Sequence, residues 1–185
     1  MFYFNMDVME KSRYFNSSEL ERVDRAAVLA EELVNNYFKL SSGQWLKNRY
    51  DIKTAKDLAD HERVEGPFAQ VVKYEGRKNG APLSSSSYSL YTVCIQDPAI
   101  LSLQKRREEL HLDAFLLYVL VHELVHVVRF SRFKHRYENA SEASVTMEEE
   151  RKVHGLTHAI LKPVRLPGMA QVFEFYKKWR DAAVE

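Results

Sequence analysis

The stretch Asp113 to Phe130, DAFLLYVLVHELVHVVRF, constrains the fold more than any other, because it is apolar on nearly every side and yet carries two histidines and a glutamate. A helix that is hydrophobic all round belongs at the centre of a domain. Asp113 is placed to cap its N-terminus. Its most apolar run, Phe115 to Val121, is far shorter than the ~20 residues a membrane span requires, so a buried core helix is expected and no membrane association. Within it, His122-Glu123-Leu124-Val125-His126 is an HExxH sequence. Histidines four apart on a helix project from one face on consecutive turns, where both imidazoles can reach one metal ion. Paired histidines and a glutamate are costly to bury in apolar surroundings unless something coordinates or hydrogen-bonds them. A bound Zn2+ accounts for all three: His122 and His126 hold the metal, and Glu123 stands beside a water in the open coordination position, whose pKa zinc lowers to about 7. The competing reading is that chance alone set this pattern among 7 His in 185 residues and that these are satisfied core residues.

A catalytic zinc needs a third protein ligand. The metzincin arrangement demands Gly and His where this chain has Arg129 and Arg132, which excludes that class. An aspartate is almost excluded, since Asp181, near the C-terminus, is the only Asp after His126. A glutamate or histidine from the following helix remains, where Glu148-Glu149-Glu150 precedes Val153 and His154. These acids could equally be a solvated run at a helix N-terminus, where the dipole favours negative charge. At ~100° per residue Glu148 points away from the buried stripe, while Glu149 and Glu150 flank it. If Glu149 is the capping-box partner of Thr146, Glu150 is left to face the metal. Glu150 is therefore favoured, with Glu149 the runner-up. His154 is a further candidate, expected in a supporting role that hydrogen-bonds and orients a ligand.

Around this centre the chain alternates predictably. Ser18 with Glu21 forms a capping box for a helix whose Leu20, Val23, Ala27, Ala30, Val34 and Tyr37 recur at helical spacing until Ser41-Ser42-Gly43. A short helix is expected near Thr54 to Asp60. Two runs of strand formers, Phe68 to Tyr74 and Tyr88 to Ile95, flank a Gly/Asn/Pro/Ser-rich loop and read as a hairpin. Asp97-Pro98 closes the second strand, and Gln104 to Glu109 lies on a solvated helix or turn. After the HExxH helix, Ser131 to Ser144 reads as a loop. A helix capped by Thr146 then buries Val153, Leu156, Thr157, Ile160 and Leu161 before Pro163. A last amphipathic helix follows the turn at Pro167-Gly168 and carries Val172, Phe173, Tyr176 and Trp179. The fold class is thus α+β: a small mixed sheet of about three strands on the HExxH helix, followed by a glutamate helix, with additional N- and C-terminal helices. One domain is expected over 1–185, with 68–162 its catalytic core, 1–66 an N-terminal helical extension and 167–185 a C-terminal helix.

Lys+Arg 27 against Asp+Glu 26 leaves a formal net charge of +1, which gives no electrostatic reason to expect nucleic acid as a partner. The basic and aromatic residues of the Ser131 to Ser144 loop are too few to alter that. Cys94 is the single cysteine, so no internal disulfide is possible, which fits a reducing, cytoplasmic setting. The N-terminal MFYFNMDVMEKSR lacks the layout of a signal peptide.

These residues resemble the gluzincins, the thermolysin-like zinc peptidases in which a second helix after HExxH supplies a glutamate ligand. The short chain and its order of elements look like the minimal gluzincins and, more distantly, the ImmA/IrrE type. In several such families an Asp or Asn four residues after the ligand glutamate supports a zinc-binding histidine; here His154 holds that place after Glu150. The resemblance covers roughly Phe68 to Lys162. It implies a zincin-like fold and a metallopeptidase acting on a peptide or protein substrate laid along a sheet edge, with Tyr88 to Ile95 as the strand beside the cleft. It also implies a Tyr or His that stabilises the oxyanion, for which Tyr137, His135 and His158 are candidates. Two other functions remain open on sequence alone: a non-catalytic module in which zinc fixes the fold or serves partner binding, and a metal-free helical interaction domain.

Overall fold

A computed structural model describes residues 13–41, 49–77, 87–132 and 143–181. The element order is α1 (Ser17–Phe38), β1 (Arg49–Lys53), two short 3-10 turns, β2 (Ala69–Arg77), β3 (Ser87–Ile95), α2 (Asp97–Arg106), α3 (Leu112–Arg132), α4 (Ala143–Leu161), α5 (Met169–Phe175) and α6 (Lys177–Asp181). The architecture is α+β, with a three-stranded mixed sheet in the order β1-β3-β2. β3 pairs in parallel with β1 and antiparallel with β2, so that Val93 lies opposite both Ile52 and Val71.

The centre of the fold is α3, in which every residue from Ala114 to Val128 is buried. By length and apolarity this helix could cross a bilayer, yet 83% of its most apolar window is covered by the protein itself. α1, β2, β3, α4 and α5 all pack on it. With Phe115, Leu116, Leu117, Leu120 and Leu124 at 0–1% exposure, each side chain contributes ~1.5–3 kcal/mol of burial.

Several boundaries differ from expectation for identifiable reasons. α1 begins two residues early: Asn16 is the N-cap and forms the capping box with Glu19, where Ser18 with Glu21 was expected. Both pairs satisfy the same pattern, and tertiary contact selects the first, because Phe15 is buried and its N–H donates to Asp97. α1 then stops at Phe38 with Lys39 left-handed at φ 54°, and its outer positions Leu20 and Tyr37 stay exposed. Asp113 lies inside the first turn of α3 rather than at its cap. α4 starts at Ala143, so Thr146 lies within it and not before it. The C-terminal helix is two short segments meeting at Tyr176. Gly168 sets their direction at φ 87°, where an added Cβ would come 2.6 Å from the His111 side chain.

β1 has no apolar run to announce it, being the charged RYDIK at a sheet edge. Its place beside β3 moves β3 to the middle of the sheet, so Tyr88 to Ile95 is not the strand at the cleft. That position belongs to β2. Burial tells the two apart: Tyr91 to Ile95 are buried on both faces, whereas β2 leaves Lys73 and Glu75 exposed, as an edge strand does.

Two buried carboxylates brace the periphery. Asp97 accepts from the backbone N–H of Phe15 at 3.0 Å and of Ala55 at 2.9 Å, tying three segments together. Glu62 is 1% exposed and accepts from the Tyr74 hydroxyl at 2.7 Å, the Ala59 N–H at 2.8 Å and Lys53 Nζ at 3.0 Å. The Tyr74 and Ala59 hydrogen bonds hold its carboxyl down at about 2, against the opposing effect of burial. Glu62→Ala strands Lys53 and the Ala59 N–H and should cost about 3 kcal/mol of stability, read from urea unfolding at pH 7. Because the folded pKa is depressed, Glu62 stabilises above the unfolded carboxylate value of about 4.3. That contribution is lost as pH falls through about 2, so the difference between wild type and variant should shrink across that window.

Candidate metal centre

α3 carries His122, Glu123 and His126 and α4 carries Glu150, the two helices packing side by side. His122 Nε2 and His126 Nε2 lie 3.2 Å apart. Glu150 Oε2 is 3.4 Å from His122 Nε2, and Glu150 Oε1 is 3.1 Å from His126 Nε2. Zinc bonds of ~2.0–2.1 Å at tetrahedral angles set ligand atoms roughly 3.3–3.4 Å apart. Each nitrogen thus has a Glu150 oxygen near the spacing that one tetrahedral ion requires, one ligand atom from each side chain lies within 4.8 Å of the others, and His122, His126 and Glu150 can hold a metal.

The electrostatics follow from that crowding. Burial works to raise the Glu150 carboxyl, but hydrogen bonding to His122 and His126 outweighs it and holds the group well below the usual carboxylate range. His126 is lowered by burial and raised by Glu150 and Glu123, with a net upward shift. Glu123 is buried, and burial pushes its carboxyl up against the opposing pull of the two histidines. Its carboxylate makes no hydrogen bond among the described residues, although Glu123 lines the cleft beside the metal ligands. Both histidines turn Nε2 inward, and their buried Nδ1 atoms have no partner among the described residues.

Arg129 distinguishes the adjacent glutamates. This side chain, on α3 one turn beyond His126, grips Glu149 through Nε to Oε1 and through Nη2 to Oε2 at 2.8 Å. Glu149 is thus held by an arginine fork, and Glu150 one residue later is turned to the histidines. Glu148 pairs with Lys152 at the surface. Arg129 fixes the register of α4 on α3 at the level of the metal ligands, a role no local pattern announces. If a metal is held here, Arg129→Met should weaken its binding about 10–100-fold, as loss of a hydrogen bond that backs the ligands does. Arg129→Lys should recover only part, because lysine cannot reproduce the two parallel bonds; competition with a chromophoric chelator reads both.

His154 is not where an orienting partner would act. Its Nδ1 bonds the Tyr118 hydroxyl at 2.9 Å, and His122 Nδ1 is left unpartnered. Burial first, and the nearby His122 second, lower its pKa to about 3. His158 points elsewhere, accepting from Arg180 at 2.9 Å and lying against Phe173. Tyr137 and His135 lie outside the described residues.

The candidate ligands open into a cleft of about 770 Å³. One wall is Gly66 to Val71, at the start of β2, and the opposite wall is aromatic, with Phe175, Tyr176 and Trp179 from the C-terminal segments. Tyr176 stacks on Tyr118 at 4.2 Å and 6°. Tyr118 precedes His122 by one turn on the same face of α3, so its place by the site could be read from the sequence. The contributions of Tyr176 and Trp179 depend on how the chain end folds back. Searches against protein-family models, curated proteins and solved structures each found no match.

Proposed function

We propose that this chain is a zinc-dependent metallopeptidase of zincin-like, gluzincin type, related in design to the minimal gluzincins. The observation that carries the reading is the convergence of His122 Nε2, His126 Nε2 and the Glu150 carboxylate, the two nitrogens 3.2 Å apart and the carboxylate reaching one through Oε2 at 3.4 Å and the other through Oε1 at 3.1 Å, with the carboxylate of Glu123, unpaired among the described residues, at its side. His122, His126 and Glu150 would hold the zinc, which would supply Lewis acidity to a substrate carbonyl and acidify a water to a pKa of about 7. Glu123 would be the residue that accepts a proton from the attacking water as its oxygen bonds to the carbonyl carbon and that returns the proton to the amine as the C–N bond breaks. Its burial, which raises the carboxyl's affinity for a proton, suits both halves of this transfer.

The free edge of β2 supports a peptide over a small molecule. β2 bonds β3 along one side, and its other side has no strand partner among the described residues. Since residues 66–71 also line the cleft, an extended peptide can add to this edge through main-chain hydrogen bonds and bring a carbonyl to the metal ligands. A purely structural zinc site has no use for an unpaired buried carboxylate next to its ligands.

The deciding experiment incubates purified protein with a mixed peptide library, with and without chelator, alongside elemental analysis. One zinc per chain and chelator-sensitive cleavage are expected. One zinc without cleavage, together with melting on chelation, would assign the site to the fold or to partner binding; no zinc after careful purification would leave a metal-free interaction domain.

A further inference from the structure

We infer that His154 presents its Nε2–H to the cleft as the hydrogen-bond donor for a ligand oxygen at the metal centre, and that Tyr118 fixes it in that state; the inference rests on the peptidase reading. His154 lies one turn after Glu150, is 6% exposed and lines the same cleft. Its ring stands 4.3 Å from that of His122 and is confined by Tyr176 at 5.2 Å and Trp179 at 6.3 Å.

The hydrogen bond to Tyr118 determines which nitrogen carries the proton. Tyr118 is fully buried, and its hydroxyl has no partner other than His154 Nδ1 among the described residues. A phenol withdrawn from water must spend its proton on an acceptor. Nδ1 is therefore the acceptor, and in a neutral imidazole the ring proton then sits on Nε2. Nε2 has no acceptor among the described residues, yet it is absent from the fully buried, unsatisfied atoms, which are His122 Nδ1, His126 Nδ1 and Gln104 Nε2. It is a donor open to the cleft.

Two other roles fail on geometry. His154 does not orient His122, whose Nδ1 has no partner among the described residues, and its nitrogens lie outside the cluster of converging ligand atoms. A donor aimed at bound ligand remains. When the water oxygen bonds to the carbonyl carbon, the π-electron pair moves to the carbonyl oxygen. The Nε2–H stabilises that charge without giving up its proton. The C=O bond then re-forms, the C–N bond breaks, and the departing nitrogen receives the proton that Glu123 took from water. His154 touches the reacting oxygen; Tyr118 acts through it and is a positioning residue.

The test uses the zinc-loaded full chain, with His154→Ala, His154→Gln and Tyr118→Phe. His154→Ala should keep its zinc and its KM and lose kcat by about 10²–10³-fold. His154→Gln, which retains an N–H donor, should recover at least part of that loss. Tyr118→Phe preserves the ring stack, so it separates donor loss from disrupted packing; kcat should fall about 10–100-fold with KM unmoved. Calorimetry with a dipeptide phosphonamidate, whose tetrahedral phosphoryl oxygens mimic the charged carbonyl oxygen, gives a readout independent of turnover: His154→Ala should bind it more than about tenfold more weakly. Unchanged kcat in both His154→Ala and Tyr118→Phe, loss of zinc from His154→Ala, or equal phosphonamidate affinity in wild type and His154→Ala overturns the assignment. If wild type binds zinc and the phosphonamidate but cuts no peptide, the peptidase reading fails and the affinity comparison still decides the donor.

Discussion

Glu123→Gln is expected to retain one zinc per chain and to lose peptide hydrolysis by about 10²–10⁴-fold. The substitution replaces one carboxylate oxygen by an amide nitrogen of nearly the same size, so packing at this 7% exposed position is preserved. What disappears is the ability to accept a proton. Metal retention follows because Glu123 is not among the three converging ligands. The variant should also be at least as stable as wild type in the metal-free state. Burial disfavours its charge, and no hydrogen bond among the described residues offsets that penalty, so a neutral amide is better tolerated there. Thermal unfolding of the two apoproteins checks this directly. Turnover at wild-type rate would remove Glu123 from the chemistry, and loss of zinc would mean that it supports the metal.

The parts of this site legible in the sequence are those whose geometry is local. The four-residue interval between His122 and His126 fixes their shared face whatever surrounds the helix, and the ~100° step separates Glu150 from Glu148. Glu150 rather than Glu149 faces the two histidines, and Glu149 is gripped by Arg129, 20 residues earlier on another helix, a partner no local pattern announces. The middle of the sheet was misassigned because β1 is charged and carries no apolar run. The run from Leu90 to Ile95, in which Thr92 is the single polar residue, was nevertheless a signal for a strand covered on both faces. Nothing local could place Tyr176 and Trp179 on the cleft wall, since that depends on the turn at Gly168 and the return of α5 and α6 against α3 and α4. His154 illustrates the same limit. Its proximity to His122 followed from helical spacing, but its hydrogen bond went to Tyr118.

Glu150→Gln should lower zinc affinity by more than the 10–100-fold expected for Arg129→Met, and Glu149→Gln should behave like Arg129→Met. The difference arises from what each carboxylate faces. Glu150 places an oxygen within 3.4 Å of each histidine Nε2, and hydrogen bonding to both histidines overcomes the effect of burial to keep it ionised well below neutral pH. It therefore meets a dication without first losing a proton. A neutral amide keeps the shape and removes the only charge among the three ligands, leaving two imidazoles 3.2 Å apart to hold a metal that normally takes three protein ligands at a catalytic site. Glu149→Gln leaves the ligand set intact and frees only its backing. On the proposed reading zinc binds the folded chain, so each hundredfold loss of affinity removes about 2.7 kcal/mol of metal-dependent stabilisation at fixed excess zinc. The increase in melting temperature on adding zinc should thus be largest for wild type, reduced for Glu149→Gln and Arg129→Met, and smallest for Glu150→Gln. A reversal, with Glu149→Gln losing more than Glu150→Gln, would make Glu149 the third ligand and require α4 to rotate on α3 when the metal binds.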